Sequence, residues 1–134
     1  MRHSPADLNA DALDFLTVRH LATLTTLRAD GSPHVVPVGF TWDPERSLAR
    51  VITGAPSMKA RHAARGGRVA ICQVDGGRWL TLEGMSSVSD DPDAVAHAVA
   101  RYAARYRQPR VNPERVVVLV AVTRVLGSAS LLAP

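Results

Sequence analysis

"HLATLTTLRADGSPHVVPVGFTW", residues 20–42, is the stretch on which the fold turns. Through "HLATLTTLR", Leu and Thr alternate at period two, the pattern of a strand with one buried face. "ADGSP" then supplies an Asp-Gly turn signal, and "HVVPVGFTW" is a second β-branched run, so the stretch predicts a hairpin whose second strand reaches Trp42. Downstream, "DPER" makes a turn into the strand "SLARVIT", and "RVAICQVD" and "RWLTLEGMSSVS" bracket a Gly-Gly turn as a further hairpin. "ERVVVLVAVTRVLGS" is a long β-branched run suited to a strand buried in a barrel or sheet. Three helices accompany these strands. The first is capped by Asn9, with Leu8 and Leu13 placed as a hydrophobic staple. The second runs from Ser57 to Arg65 and is stopped by Gly66 and Gly67. The third starts at Asp91-Pro92 and reaches Tyr106, with Val95, Val99, Tyr102 and Tyr106 near one face. Six strands and three helices define a mainly β (α+β) class, a small antiparallel barrel with helical additions.

The totals narrow the function. At 134 residues, without repeats or a dividing linker, the chain is expected to form one domain, residues 1–134. No segment has the length of a transmembrane helix, and "MRHSPADLNADALDF" carries no apolar signal core, so a cytoplasmic protein without a membrane partner is expected. Cys72, the one cysteine, lies in the apolar run "RVAICQV" and reads as a core thiol. The net charge of +4 attracts anions of any kind. Aromatics make up 4% of the chain and do not interleave with a basic stripe, which argues against nucleic acid as a partner. His3, His20, His34, His62 and His97 show no metal-binding spacing. "GAPSM" lacks the second glycine of a nucleophile elbow, and Glu83 has no second carboxylate near it in sequence. Neither a metalloenzyme nor a hydrolase is indicated. An enzyme of this composition would take its chemistry from a bound cofactor.

"VITGAPSMKARHAARGG", residues 51–67, is the candidate site. Its strand breaks at Gly54, a helix starts at Ser57, and Lys59 is the only lysine of the chain. Unpaired amides at a helix start, a capping hydroxyl and a mobile ammonium all donate hydrogen bonds, as a phosphate requires. Ordinary capping by Ser57 with a solvated Lys59 accounts for the same residues equally well.

The order "LATLTTLRADGSPHVVPVGF", "ARVITGAPSMKARHA", "QVDGGRWLTLEG" and "RVLGSASLL" resembles the split-barrel flavin and deazaflavin oxidoreductases related to pyridoxamine phosphate oxidase. Within that superfamily it is most similar to the actinobacterial F420-dependent biliverdin reductases, from about Leu8 to Leu132. The resemblance implies a homodimer of split antiparallel barrels with each cofactor in a groove between subunits. Val36, Pro37, Val38 and Gly39 match the strand along the ring system, and Ile52 and Thr53 the end of the next strand, beside ring and phosphate. Ser57, Met58 and Lys59 match the phosphate-binding segment, and Trp79 a residue packed near the cofactor. Arg61 and Arg65 are candidate partners of an anionic cofactor tail, and Arg78, like the arginines of "RYRQPRVNPER", of a carboxylate-bearing substrate.

Two departures bear on the cofactor. The neutral run "VVPVGFT" stands where the phosphorylated-vitamin oxidases carry a basic residue, and Met58 where they usually carry arginine. Both favour coenzyme F420 over FMN. The implied activity is hydride transfer from reduced F420 to a conjugated acceptor, biliverdin first among them. The alternatives are an FMN-binding oxidase and a non-enzymatic carrier of F420 or a tetrapyrrole.

Overall fold

The second run of the hairpin is not one strand. In the computed structural model, which describes residues 2–134, β1 (Ala22–Leu27) pairs with β2 (Pro33–Val38), Gly39 and Phe40 then leave the ladder, and β3 (Thr41–Asp43) resumes elsewhere. Next come β4 (Leu48–Gly54), β5 (Arg68–Asp75), β6 (Arg78–Ser89) and β7 (Arg115–Gly127). The sheet therefore has seven strands, in the order β2-β1-β5-β6-β7-β4-β3, where six were expected. Every ladder is antiparallel. β2 and β3 form its opposite edges, yet two residues join them. The sheet must therefore curl until its edges meet, which makes it a barrel with a seam between β2 and β3.

Phe40 is the reason for the break. Its side chain is fully buried, and its carbonyl accepts from Arg105 Nη1 at 2.7 Å and from the Tyr106 hydroxyl at 3.0 Å. Burying a large aromatic and satisfying its carbonyl turn the chain inward at the seam. Arg105 also donates to the carbonyl of Val18 and to Gln73 Oε1, and Gln73 in turn donates to the carbonyl of Phe15. One buried guanidinium thus ties α3 (Pro92–Arg105) to β5 and to the chain just beyond α1 (Ala10–Phe15).

The expected helix starts are present. Asn9 Oδ1 accepts from the Ala12 amide, and Asp91 Oδ2 from that of Ala94. α2 (Met58–Ala64) is capped by Ser57. The core gathers Phe15, Leu24, Phe40, Ile71, Leu80, Leu82, Val118 and Val120 inside the barrel. β6 shifts register between Glu83 and Gly84, where a Cβ on Gly84 would collide with the Ala121 carbonyl, so the backbones approach as only glycine allows.

Alternation and register place a second set of apolar side chains outside. Val35 and Leu27 stand on the outer face of β2 and β1, and Val74, Trp79 and Leu126 continue it across β5, β6 and β7.

Candidate functional site

A cavity of about 280 Å³ opens where the end of β2 meets the end of β4. Pro37, Val38 and Gly39 line one side, and Val51 to Gly54 with Lys59 line another. Tyr102 of α3, Pro109 and Asn112 from the α3–β7 connection, and Arg115 at the start of β7 complete it. Of the residues singled out from sequence, Pro37, Val38, Gly39, Ile52, Thr53 and Lys59 meet here, although they come from two separate strands, β2 and β4, and the helix that follows β4.

The local chemistry follows from β4 running directly into α2. Ser57 Oγ accepts from the Ala60 amide at 3.2 Å and from Thr53 Oγ1 at 3.0 Å. Ser57 itself does not line the cavity; it stands behind Thr53, which does. Lys59, two positions on, is half-buried and faces the cavity. α2 has fewer than two turns, so its dipole adds little to the binding of an anion. No Asp or Glu lines the cavity, while Lys59 and Arg115 do. A planar, phosphorylated cofactor suits this lining: apolar strand ends for the ring, donors without competing carboxylates for the phosphate.

The other sequence candidates lie apart. Val36 points inward and packs against the core. Met58 is half exposed, and Arg61 is exposed; neither lines the cavity. Arg65 donates to the carbonyl of Leu27 at 2.6 Å, at the opposite end of α2. Arg78 lies over the Phe15 ring, 5.0 Å from its centroid, and Trp79 stands on the outer sheet face. His34 and His62, distant in sequence, meet edge to face at 4.8 Å. Burial, followed by the neighbouring His34, Arg65 and Arg28, holds His62 below the ordinary imidazole value.

Sequence reasoning did not single out Tyr102 or Asn112, and placed Arg115 only among several arginines. Gly39 was the available signal. A Cβ there would sit 3.1 Å from the Tyr106 ring and 3.2 Å from that of Tyr102, so the glycine seats the tyrosine pair against the seam.

A barrel split at its seam, with a carboxylate-free cationic pocket at the strand ends, defines a protein built to hold an anionic planar cofactor. A family model described as pyridoxamine 5'-phosphate oxidase matches residues 8–129, and the chain belongs to that family. It is 59% identical over 132 residues to the F420H(2)-dependent biliverdin reductase of Mycobacterium tuberculosis (strain CDC 1551 / Oshkosh), spanning 98% of this chain and 96% of that one. Among solved structures, a conserved hypothetical protein from Mycobacterium tuberculosis superimposes with a TM-score of 0.76 at 24% identity, covering 93% of this chain and 88% of that one. A structure described as an F420 reductase does so with a TM-score of 0.66 at 24% identity, covering 86% of this chain and 94% of that one. At such identity the structural likeness speaks for the fold alone.

Proposed function

We propose that the protein is an F420-dependent reductase that delivers a hydride to a conjugated acceptor, biliverdin giving bilirubin, and that it acts as a cytoplasmic homodimer. The carrying observation is the full-length relative at 59% identity, named for this cofactor and substrate. The cavity supports the cofactor class. Lys59 and the Thr53 hydroxyl line the cavity and hold the phosphate, with Ser57 hydrogen-bonded to Thr53 at the start of the helix behind them. Pro37 to Gly39 and Ile52 offer a flat apolar wall for the ring.

When bound, reduced F420 supplies a hydride, and the residues here position the two reactants and keep water from the ring face. Such orientation is worth several kcal/mol, about the size of a well-placed intramolecular effect. No Asp, Glu or His lines the cavity; on this reading Lys59 is held by the phosphate and solvent supplies the accompanying proton.

The outer apolar face supports the homodimer. Val35, Leu27, Val74, Trp79 and Leu126 lie on a single sheet surface, which a second copy would cover. Pro37 belongs to that face and also lines the cavity, so a partner seated there would wall the groove. Trp79 and Arg78, which lie away from their own cavity, could then contribute to the partner's.

Mixing the purified protein with reduced F420 and biliverdin tests the reading: the biliverdin absorption should be replaced by that of bilirubin. Lys59→Ala should keep the fold by circular dichroism and weaken F420 binding about tenfold or more, as loss of a charge-assisted hydrogen bond does. Co-purification with FMN and turnover supported by FMN instead would overturn the reading, as would an unchanged affinity in Lys59→Ala.

A further inference from the structure

Beside the cofactor cavity lies a second one of about 770 Å³. The two share Tyr102, Pro109, Asn112 and Arg115, so they form one continuous depression, and the second adds Arg107 and Arg110. Taken together, the lining carries four cations (Lys59, Arg107, Arg110 and Arg115) and no Asp or Glu. Among the described residues, none of the three arginines is ion-paired with a carboxylate. The nearest acid in sequence, Glu114, lines neither cavity. Its amide donates to Asn112 Oδ1, and its carbonyl accepts from the Ala55 amide.

The connection that carries these arginines is held in place. Arg115 Nη2 donates to the carbonyl of Arg110 at 2.6 Å, and the Arg115 amide donates to the carbonyl of Asn112. A guanidinium has five N–H donors, so this contact leaves most of those on Arg115 free. Three like charges collected on a fixed loop repel one another, and an anion with several separated negative groups removes that repulsion. Carboxylates match the guanidinium fork, two oxygens to two N–H groups. Beyond Tyr102 and Pro109, which it shares with the first cavity, the lining is polar apart from Val111, which is 96% exposed, so this part favours charged groups over a ring system.

We propose that Arg107, Arg110 and Arg115 form a second anionic subsite that receives the carboxylate-bearing tail of the cofactor, continuing from the phosphate position at Lys59. The inference rests on the F420 reading given above. It also replaces Arg61 and Arg65, which line neither cavity, as partners of the tail.

The test is a binding titration of oxidised F420 with its full tail and of a form trimmed back to the phosphate, on the parent protein and on Arg107→Gln/Arg110→Gln. Both arginines are exposed, so the fold should survive substitution. The parent should bind the full-length form about tenfold more tightly at low salt, and added salt should shrink the difference. The double variant should bind both forms with the affinity the parent shows for the trimmed one. Equal affinity of the parent for the two forms would overturn the subsite, as would a variant that weakens both alike. A variant that raises the KM for biliverdin while keeping the preference for the long tail would give the shelf to the substrate's propionates, against the proposal. If the parent binds neither form, the functional reading fails first, and the tail subsite with it.

Discussion

Gly39 sits where strand, seam and cavity coincide, and its missing side chain does structural work. The Tyr102 and Tyr106 rings stack at 4.8 Å between centroids and fill the space a Cβ would need. Gly39→Ala should force the pair back, cost about 1–2 kcal/mol by overpacking, and loosen the cavity wall that Tyr102 provides. Chemical denaturation and F420 titration of this variant measure both effects; an unchanged midpoint with unchanged affinity would show that the rings yield freely. At this scale Lys59 was legible in the sequence, being the only lysine and standing beside a capping serine. Tyr102, Asn112 and Arg115 were not, because Tyr102 reaches the cavity only through the packing of α3 against β4, Asn112 through the connection that follows, and Arg115 through the pairing of β7 with β4.

At the scale of elements, the β3–β4 hairpin is pinned to α3 by charge. Asp43 is 1% exposed and accepts from Arg50 Nη1 at 2.9 Å, with Arg46 and Arg101 at 3.3 and 3.4 Å. Burial alone would raise its pKa. The hydrogen bond from Arg50, that from the Arg46 amide and the nearby Arg101 outweigh burial and hold it at about 2, below the ordinary 3.8. A carboxyl depressed in the folded state stabilises fully above its unfolded pKa and loses that contribution as pH falls through the folded value. Stability should therefore decline between about pH 4 and pH 2, and Asp43→Asn should flatten that part of the profile. The same variant should lose about 3 kcal/mol at neutral pH, since it leaves Arg50 buried without its counter-charge. Urea midpoints across that pH range check both statements. The hairpin itself was expected from "DPER"; its charged anchor was not, because Arg101 lies far along the chain.

For the whole molecule, the proposed homodimer rests on the outer face of the sheet. Sedimentation of the parent should give twice the 14.4 kDa mass of the chain. Val74→Glu, which puts a charge on the apolar face beside Trp79, should give monomers and weaken F420 binding, because on the proposed reading each groove then loses its second wall. A monomeric parent that still binds F420 tightly would remove the dimer from the account.

The three helices, the caps at Asn9, Ser57 and Asp91, and every strand but the divided second one followed from sequence. Side-chain alternation, capping chemistry and turn residues act within a few positions, and the order of motifs carried the family resemblance. Where "HVVPVGFTW" divides was settled by sheet closure: a seventh strand appears because Phe40 finds burial and hydrogen-bond partners only once α3 lies over the seam. The far wall of the cavity and its arginine shelf likewise belong to the folded chain. Periodicity predicts which way a residue faces on its own strand or helix; which distant residue it then meets depends on curvature and docking, set by the core as a whole.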